Sequence, residues 1–194
     1  MSLLTSSKKH ILVLPSWYPN DFNKRNGIFN QYYIDALSSL NNISVLHVEH
    51  RAEVQSVEIR KRTINNVLTI FVYVPIKNGF SGKIYNQSHF IKACEEGFKV
   101  ITEEKGKVDL VHNMVIWKMG LFALRLKKKL NIPYIVTEHS TALMDKHKAY
   151  SSLQLRFIKK VLIQADKVTA VAAAINVVNT SFFIVFSLIF KAIF

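Results

Sequence analysis

Three places in the sequence bring chemistry-bearing side chains to a point where an apolar run gives way to a loop. The first is "SWYPNDFNKRNGIF", beginning at Ser16. Its Gly27 stands where the loop meets a helical pattern, so backbone N–H groups can approach an anion at a favourable helix dipole. A glycine there serves equally to ease a tight turn. Lys24 and Arg25 beside it suit a phosphorylated ligand, or form a solvated basic loop. Trp17 and Tyr18 can stack on a sugar or lipid, or plug the end of a sheet. The second and third places are His112 and His139, each closing an apolar run. A histidine there can carry a proton or donate to a developing charge near neutral pH, or be satisfied by loop backbone. Glu138 either orients His139, acts on a substrate hydroxyl, or is a surface carboxylate.

Other chemistries find little support. No G-x-S-x-G elbow, P-loop or G-x-G-x-x-G occurs, which argues against a serine hydrolase, an NTPase and a dinucleotide enzyme. Histidines and carboxylates lack paired ligand spacing on one element, apart from His47 and His50, which a strand would project to opposite faces. No metal is therefore expected. Cys94 is the lone cysteine; set in a helical pattern, it is expected to be a buried, inert thiol that fits a reducing compartment. The net charge of +13 attracts nucleic acid, anionic lipid or phosphorylated small molecules. No zinc spacing or aromatic-basic signature accompanies it, so nucleic acid is not expected as a partner.

The elements that would hold these residues alternate. "ILVL" (11–14), "ISVLHVEH" (43–50), "VLTIFVYVPI" (67–76), "VDLVHNM" (108–114), "IPYIVTEH" (132–139) and "DKVTAVAAA" (166–174) read as strands. Helical patterns fall at 28–40, 82–104, 118–130 and 151–165, and the charged stretch "RAEVQSVEIRKR" reads as a loop or a solvated edge. Such alternation predicts an α/β fold, a Rossmann-like parallel sheet with helices on both faces. The runs of Val, Ile and Leu agree, since parallel strands are buried on both sides. Ligands of such sheets bind beyond the carboxyl ends of the strands. That is where Ser16 to Gly27, His112, Glu138 and His139 would lie. A loop as long as 16–27 exceeds the ordinary strand-to-helix connection of roughly 2 to 6 residues, and since longer ones are often functional it is the first candidate site.

Residues 1–174 form the expected domain, and 175–194 an apolar tail. That tail, "INVVNTSFFIVFSLIFKAIF" from Ile175, is phenylalanine-rich and is interrupted by Asn176, Asn179, Thr180 and Ser181. Three readings remain open for it: a frameshifted end, a membrane-associated segment, or a packed terminal helix. "FFIVFSLIF" is also an aggregation-prone window.

"ILVLPSWYPNDFNKRNGIFNQYYIDAL", "VDLVHNMVIWKMGLFALRLKKKLNIPYIVTEHS" and "ADKVTAVAAAI" together resemble the N-terminal domain of family 4 glycosyltransferases of the GT-B fold, over about residues 9 to 174. The resemblance implies two Rossmann-like domains across a cleft, the first holding the acceptor and the second the nucleotide-sugar donor. It implies transfer of a sugar to a polysaccharide or lipid-linked acceptor, with no cofactor and no metal. Gly27 would match the glycine whose loop approaches donor phosphate and acceptor. His139 would match the histidine near the reacting sugar, and His112 a residue lining the same cleft. A cytoplasmic protein is expected, with peripheral contact at the inner membrane face as an extension; "RLKKK" (125–129) would then touch anionic lipid at about 1 kcal/mol per basic side chain. The C-terminal donor domain is not recognisable in the chain, so the chain alone is expected to be inactive. Two alternatives differ in class: a binding module or split-enzyme subunit pairing with a separate donor domain, and a membrane-attached basic protein.

Overall fold

Alternating side chains divide every central strand between two cores. In the computed structural model, which describes residues 8–138 and 150–170, Leu12 and Leu14 of β1 (His10–Pro15) face one cluster, and Ile11 and Val13 face the other. β4 (Val67–Pro75) does the same, with Leu68, Ile70, Val72 and Val74 on the first side and Val67, Phe71 and Tyr73 on the second. The two-residue period of a strand dictates this split, and apolar residues on both faces require cover on both.

The sheet has seven strands in the order β3-β4-β2-β1-β5-β6-β7. β2 (Asn42–Arg51), β4, β5 (Leu110–Met114), β6 (Tyr134–Glu138) and β7 (Lys167–Ala170) run parallel to β1. α1 (Ile28–Ser38) supplies Ile34 to the second cluster, whereas α2 (Gly79–Lys105), α3 (Met119–Leu130) and α4 (Ser152–Gln164) build the first. This is the expected Rossmann-like α/β architecture. Right-handed crossovers explain the division, because the chain moves one way from β1 to β4 and then returns past β1 to β5.

One element departs from the simple alternation. The charged stretch, expected as a loop or solvated edge, holds β3 (Glu58–Ile64), an edge strand antiparallel to β4. The connection is a two-residue hairpin whose Asn65 and Asn66 have φ of +48° and +65°, the conformation that suits the twist of paired strands. Its lysine and arginines keep the sheet edge soluble and discourage edge-to-edge pairing.

The strands and helices are otherwise shifted only at their ends. β5 and β6 each start two residues later than expected, and α2 starts three residues earlier. The basic "RLKKK" run is mostly engaged within the protein. Arg125 and Lys129 reach Glu95 of α2 at 2.7 and 3.4 Å, and Lys127 reaches Asp166 at 2.8 Å. Asp166 also accepts from the Tyr134 N–H at 2.9 Å, so it ties the end of α4 to the start of β6. Among the described residues, no helix is long and apolar enough to cross a membrane. The last part of the expected strand at 171–174 and the tail 175–194 lie outside the described residues.

Cys94 is fully enclosed in the first core, and burial, with Glu95 adding to it, pushes its thiol well above the ordinary value. Reaction requires the thiolate and access. The folded protein is therefore expected to resist an aromatic disulfide reagent at neutral pH and to react stoichiometrically once denatured. Rapid native labelling would contradict the burial.

Candidate functional site at the strand crossover

The sheet reverses direction of growth at β1, between β2 on one side and β5 on the other. A crevice opens beyond the carboxyl ends of strands at such a switch point. Ser16, the first residue after β1, fastens its two walls together. Its N–H donates to the Met114 carbonyl at 3.0 Å, and its hydroxyl lies 2.9 and 3.1 Å from the Val115 and Trp117 carbonyls. Ser16 is thus a positioning residue for the loop 115–118.

The loop 16–27 is built, rather than merely long. Tyr18 turns inward, 1% exposed, against His47 and Phe71 at ring separations of 6.3 and 6.1 Å. Burial pushes its hydroxyl pKa up to about 12. Trp17, by contrast, is 38% exposed, so the aromatic pair splits: Tyr18 plugs the sheet and Trp17 faces out. Buried Asn20 accepts from the Phe22 and Asn23 N–H groups at 3.0 Å each and donates to Glu49 at 3.0 Å. Asp21 then anchors the loop to the edge hairpin, at 2.7 Å from Arg60 and 2.6 Å from Arg62. Phe22 fills the gap between them, edge-on to Tyr73 at 4.9 Å and beneath the Arg51 guanidinium at 4.7 Å.

Partial burial works to raise the Asp21 pKa, but the hydrogen bonds and charges of Arg60 and Arg62 outweigh it and hold it below the usual value of 3.8. Glu49 behaves alike: burial opposes ionisation, and His47 and Arg51 overcome it, so its pKa lies below 4.5. A depressed carboxylate contributes stability that is fully present above its unfolded pKa and is lost as pH falls through the folded one. The melting temperature is therefore expected to fall as pH drops below 4.5. Asp21→Asn should flatten the acid side of that curve and cost at most about 1 kcal/mol at neutral pH, as these groups are partly solvated. An unchanged acid limb in the variant would contradict this assignment.

Gly27 ends the loop with φ +60°, and α1 begins there with no side-chain cap and no acidic residue in its first turn. A Cβ at this position would lie 2.4 Å from the Trp17 carbonyl oxygen. That oxygen is held in place by the Asn30 side-chain amide at 2.7 Å. Of the two basic residues expected beside it, Lys24 is exposed and 3.7 Å from Asp21, and Arg25 is exposed. Their placement at the loop surface leaves them near the helix start.

His112 departs from expectation. It lies two residues before the end of β5 and is 2% exposed, with Nε2 2.8 Å from the Thr137 hydroxyl and its ring edge-on to Tyr33 at 5.6 Å. Thr137 in turn lies 2.8 Å from the Thr169 hydroxyl, so a polar chain crosses three strands beneath the crevice. Glu138 is not a surface carboxylate either: it is 2% exposed and accepts from the Ile116 N–H at 2.9 Å. Together with the Val115 N–H bonded to the Thr137 carbonyl at 3.0 Å, it fixes a loop in which Val115 and Lys118 have φ of +67° and +64°. His139 lies outside the described residues. His47 and His50 do sit on opposite faces, His47 against Tyr18 and His50 stacked on Phe90 of α2.

Asn20, Asp21, Trp117 and Lys118 were not anticipated as site-building residues. Only Asn20 and Asp21 carry a local signal, as turn-forming side chains that bond their own backbone.

The family model described as Glycosyltransferase Family 4 matches residues 62–176, more than half of the chain. The chain belongs to glycosyltransferase family 4. No curated protein sequence matches it. Solved structures that resemble this family 4 chain include a trehalose-6-phosphate structure from E. coli bound with UDP-2-fluoro glucose, at 13% identity and a TM-score of 0.43. An Arabidopsis thaliana protein complexed with UDP gives 7% and 0.46. An alpha,alpha-trehalose 6-phosphate synthase from Burkholderia multivorans gives 15% and 0.46. The chain is covered over 82%, 84% and 88%, and it spans 39%, 45% and 42% of those structures respectively. The family 4 assignment accounts for the resemblance of "GLFALRLKKKLNIPYIVTEH" and "ADKVTAV", whose Asp166 and Thr169 are both engaged in holding β6.

Proposed function

We propose that this chain is the acceptor-side domain of a two-domain glycosyltransferase that moves a sugar from a nucleotide-sugar to a glycan or lipid-linked acceptor. The family 4 match over 62–176 carries the reading. The crossover supports it: α1 starts at Gly27 with no side-chain cap, and the loop 115–118 that follows β5 is pinned by Ser16 and Glu138. Such a terminus favours the phosphates of a donor, and Trp17 offers an exposed aromatic face to a sugar. By the family resemblance, His139 lies near the reacting sugar, and the nucleotide-sugar itself is held mainly by a second domain. Contact of the basic helix α3 with a membrane surface is the weaker extension, because Arg125, Lys127 and Lys129 already hold carboxylates within the protein.

The test is reconstitution. The 194-residue chain, incubated with nucleotide-sugars and glycan or lipid-linked acceptors, is expected to release no nucleotide. The same chain joined to a family 4 donor domain is expected to turn over, and His139→Ala should abolish that turnover. Sugar transfer by the chain with nothing added would refute the two-domain requirement.

A further inference from the structure

A cavity of about 450 Å³ lies on the α2 side of the strand ends, against the loop 115–118. One part of its wall is apolar, with Ile76 beyond β4, Phe90 on α2, and Trp117 and Leu121 at the start of α3, and Asn86, Gln87 and Gln154 add neutral polar groups. His50 and Lys118 supply its charge-bearing groups, and no carboxylate lines it among the described residues. A volume in this range suits a small molecule, and such pockets combine apolar walls with a few placed polar groups.

Lys118 is the unusual member. Its φ of +64° and ψ of −64° form a γ-turn of the rarer, strained hand, closed by the Met119 N–H donating to the Trp117 carbonyl at 2.9 Å. The turn sets the lysine at the mouth of α3, with its ammonium 5.8 Å from the Phe90 ring centre. Burial lowers its pKa, and Glu49 is the acid whose field opposes that. Glu49, however, is already shared by Arg51 at 2.9 Å, the Asn20 amide at 3.0 Å and His47 at 3.5 Å. His50 adds a second nitrogen centre, stacked flat on Phe90 at 5.6 Å. α3 begins here with no side-chain cap and no acid in its first turn, so its dipole adds a favourable field for an anion, while the N–H groups of Met119, Gly120 and Leu121 themselves donate to the Trp117, Ile116 and Lys118 carbonyls. A strained backbone that sets an exposed lysine at the mouth of a cavity lined, among the described residues, by no carboxylate is the arrangement expected of a ligand site.

We propose that this cavity binds a phosphoryl group attached to an apolar moiety, with Lys118 holding the phosphate and Phe90, Trp117 and Ile76 holding the apolar part. In the two-domain reading above, on which this identification of role rests, the ligand is a discrete phosphorylated acceptor.

Binding is measured on the 194-residue chain carrying Trp17→Phe, which leaves Trp117 as the single tryptophan reporter. Phenyl phosphate is expected to quench its emission saturably. Inorganic phosphate and benzyl alcohol, each offering half of the chemistry, should bind at least about tenfold more weakly. Lys118→Gln should weaken phenyl phosphate at least about tenfold. Lys118→Gly should do the same while melting no lower than the parent, because glycine adopts this turn without strain. Ile76→Glu, at an exposed rim position, should also weaken it by charge repulsion. Equal affinity for benzyl alcohol and phenyl phosphate, or undiminished binding in both Lys118 variants, would overturn the proposal. Lys118-dependent capture by phosphatidic-acid vesicles in place of phenyl phosphate would overturn it too, since the ligand would then be a bilayer surface. Phenyl phosphate binding without sugar transfer by the reconstituted protein would refute the transferase reading alone; transfer without such binding would refute this assignment alone.

Discussion

Gly27→Ala is expected to lower stability by about 3 kcal/mol, which for a chain of this size is a fall in Tm of about 6–12 °C. Two independent costs combine. An L-residue held at φ +60° loses about 1–2 kcal/mol against glycine. The added Cβ must also push back a carbonyl oxygen at 2.4 Å. Backbone is harder to displace than a side-chain tip, and this carbonyl is further held by Asn30, whose amide donates to it at 2.7 Å. Gly27→Asn separates the two. Asparagine tolerates the left-handed conformation better than alanine does, yet it brings the same Cβ. If the close approach dominates, asparagine rescues little. A thermal melt showing either variant within about 0.5 kcal/mol of the parent would mean that the loop yields and that Gly27 does not set the geometry of the crevice. In the reconstituted transferase, a displaced loop of about 1 Å should also lower turnover by about 100-fold.

How far the sequence disclosed this arrangement depends on the range of the interactions involved. β1, β2 and β4 could be read because their burial on both faces leaves runs rich in Val, Ile and Leu, and the helix α1 because Phe29, Tyr33 and Leu37 recur on one side. β3 was legible only as a loop or a solvated edge, because its alternation is written in arginine, lysine and threonine, and only the Asn65-Asn66 pair marked its turn. The long loop was visible as a loop, but its anchor was not. Asp21 meets Arg60 and Arg62 across a separation of some forty residues, and nothing local distinguishes it from any acidic turn residue. His112 was legible as a histidine near a strand end. Its enclosure depends on Tyr33 of α1 and Thr137 of β6, which only the strand order brings together. Lys118 looked like one lysine among many in a basic protein. Its strained turn follows from the way β5 hands over to α3, a matter of backbone geometry with no signature in residue type.

The largest effect away from Gly27 is expected at Glu138. A carboxylate at a strand end is ordinarily solvated, but this one is 2% exposed and accepts from the N–H of Ile116, itself 1% exposed. Glu138→Ala would leave that N–H buried without its acceptor, a loss of about 1–3 kcal/mol. The consequence should spread along the loop, because Val115 at φ +67° is a β-branched residue in a conformation it rarely adopts. Such a conformation persists only where the surroundings over-determine it. Here the surroundings include Glu138 on Ile116, the Thr137 carbonyl on the Val115 N–H, the Ser16 hydroxyl beneath the Val115 and Trp117 carbonyls, the Asn113 amide 3.4 Å from the Val115 carbonyl, and the Gly120 N–H on the Ile116 carbonyl. Removing one should let the loop relax and carry Trp117 with it. Three readouts then move together in Glu138→Ala: a Tm lower by about 4–8 °C for a loss of about 2 kcal/mol, a shifted Trp117 emission, and weakened phenyl phosphate binding. Glu138→Gln keeps a side-chain oxygen for the Ile116 N–H and should retain most of the parent's stability and emission. If glutamine fails as badly as alanine, the negative charge rather than the acceptor is what the site requires, and Glu138 acts on something other than the loop. If alanine changes nothing, the loop is fixed from the β1 side, by Ser16.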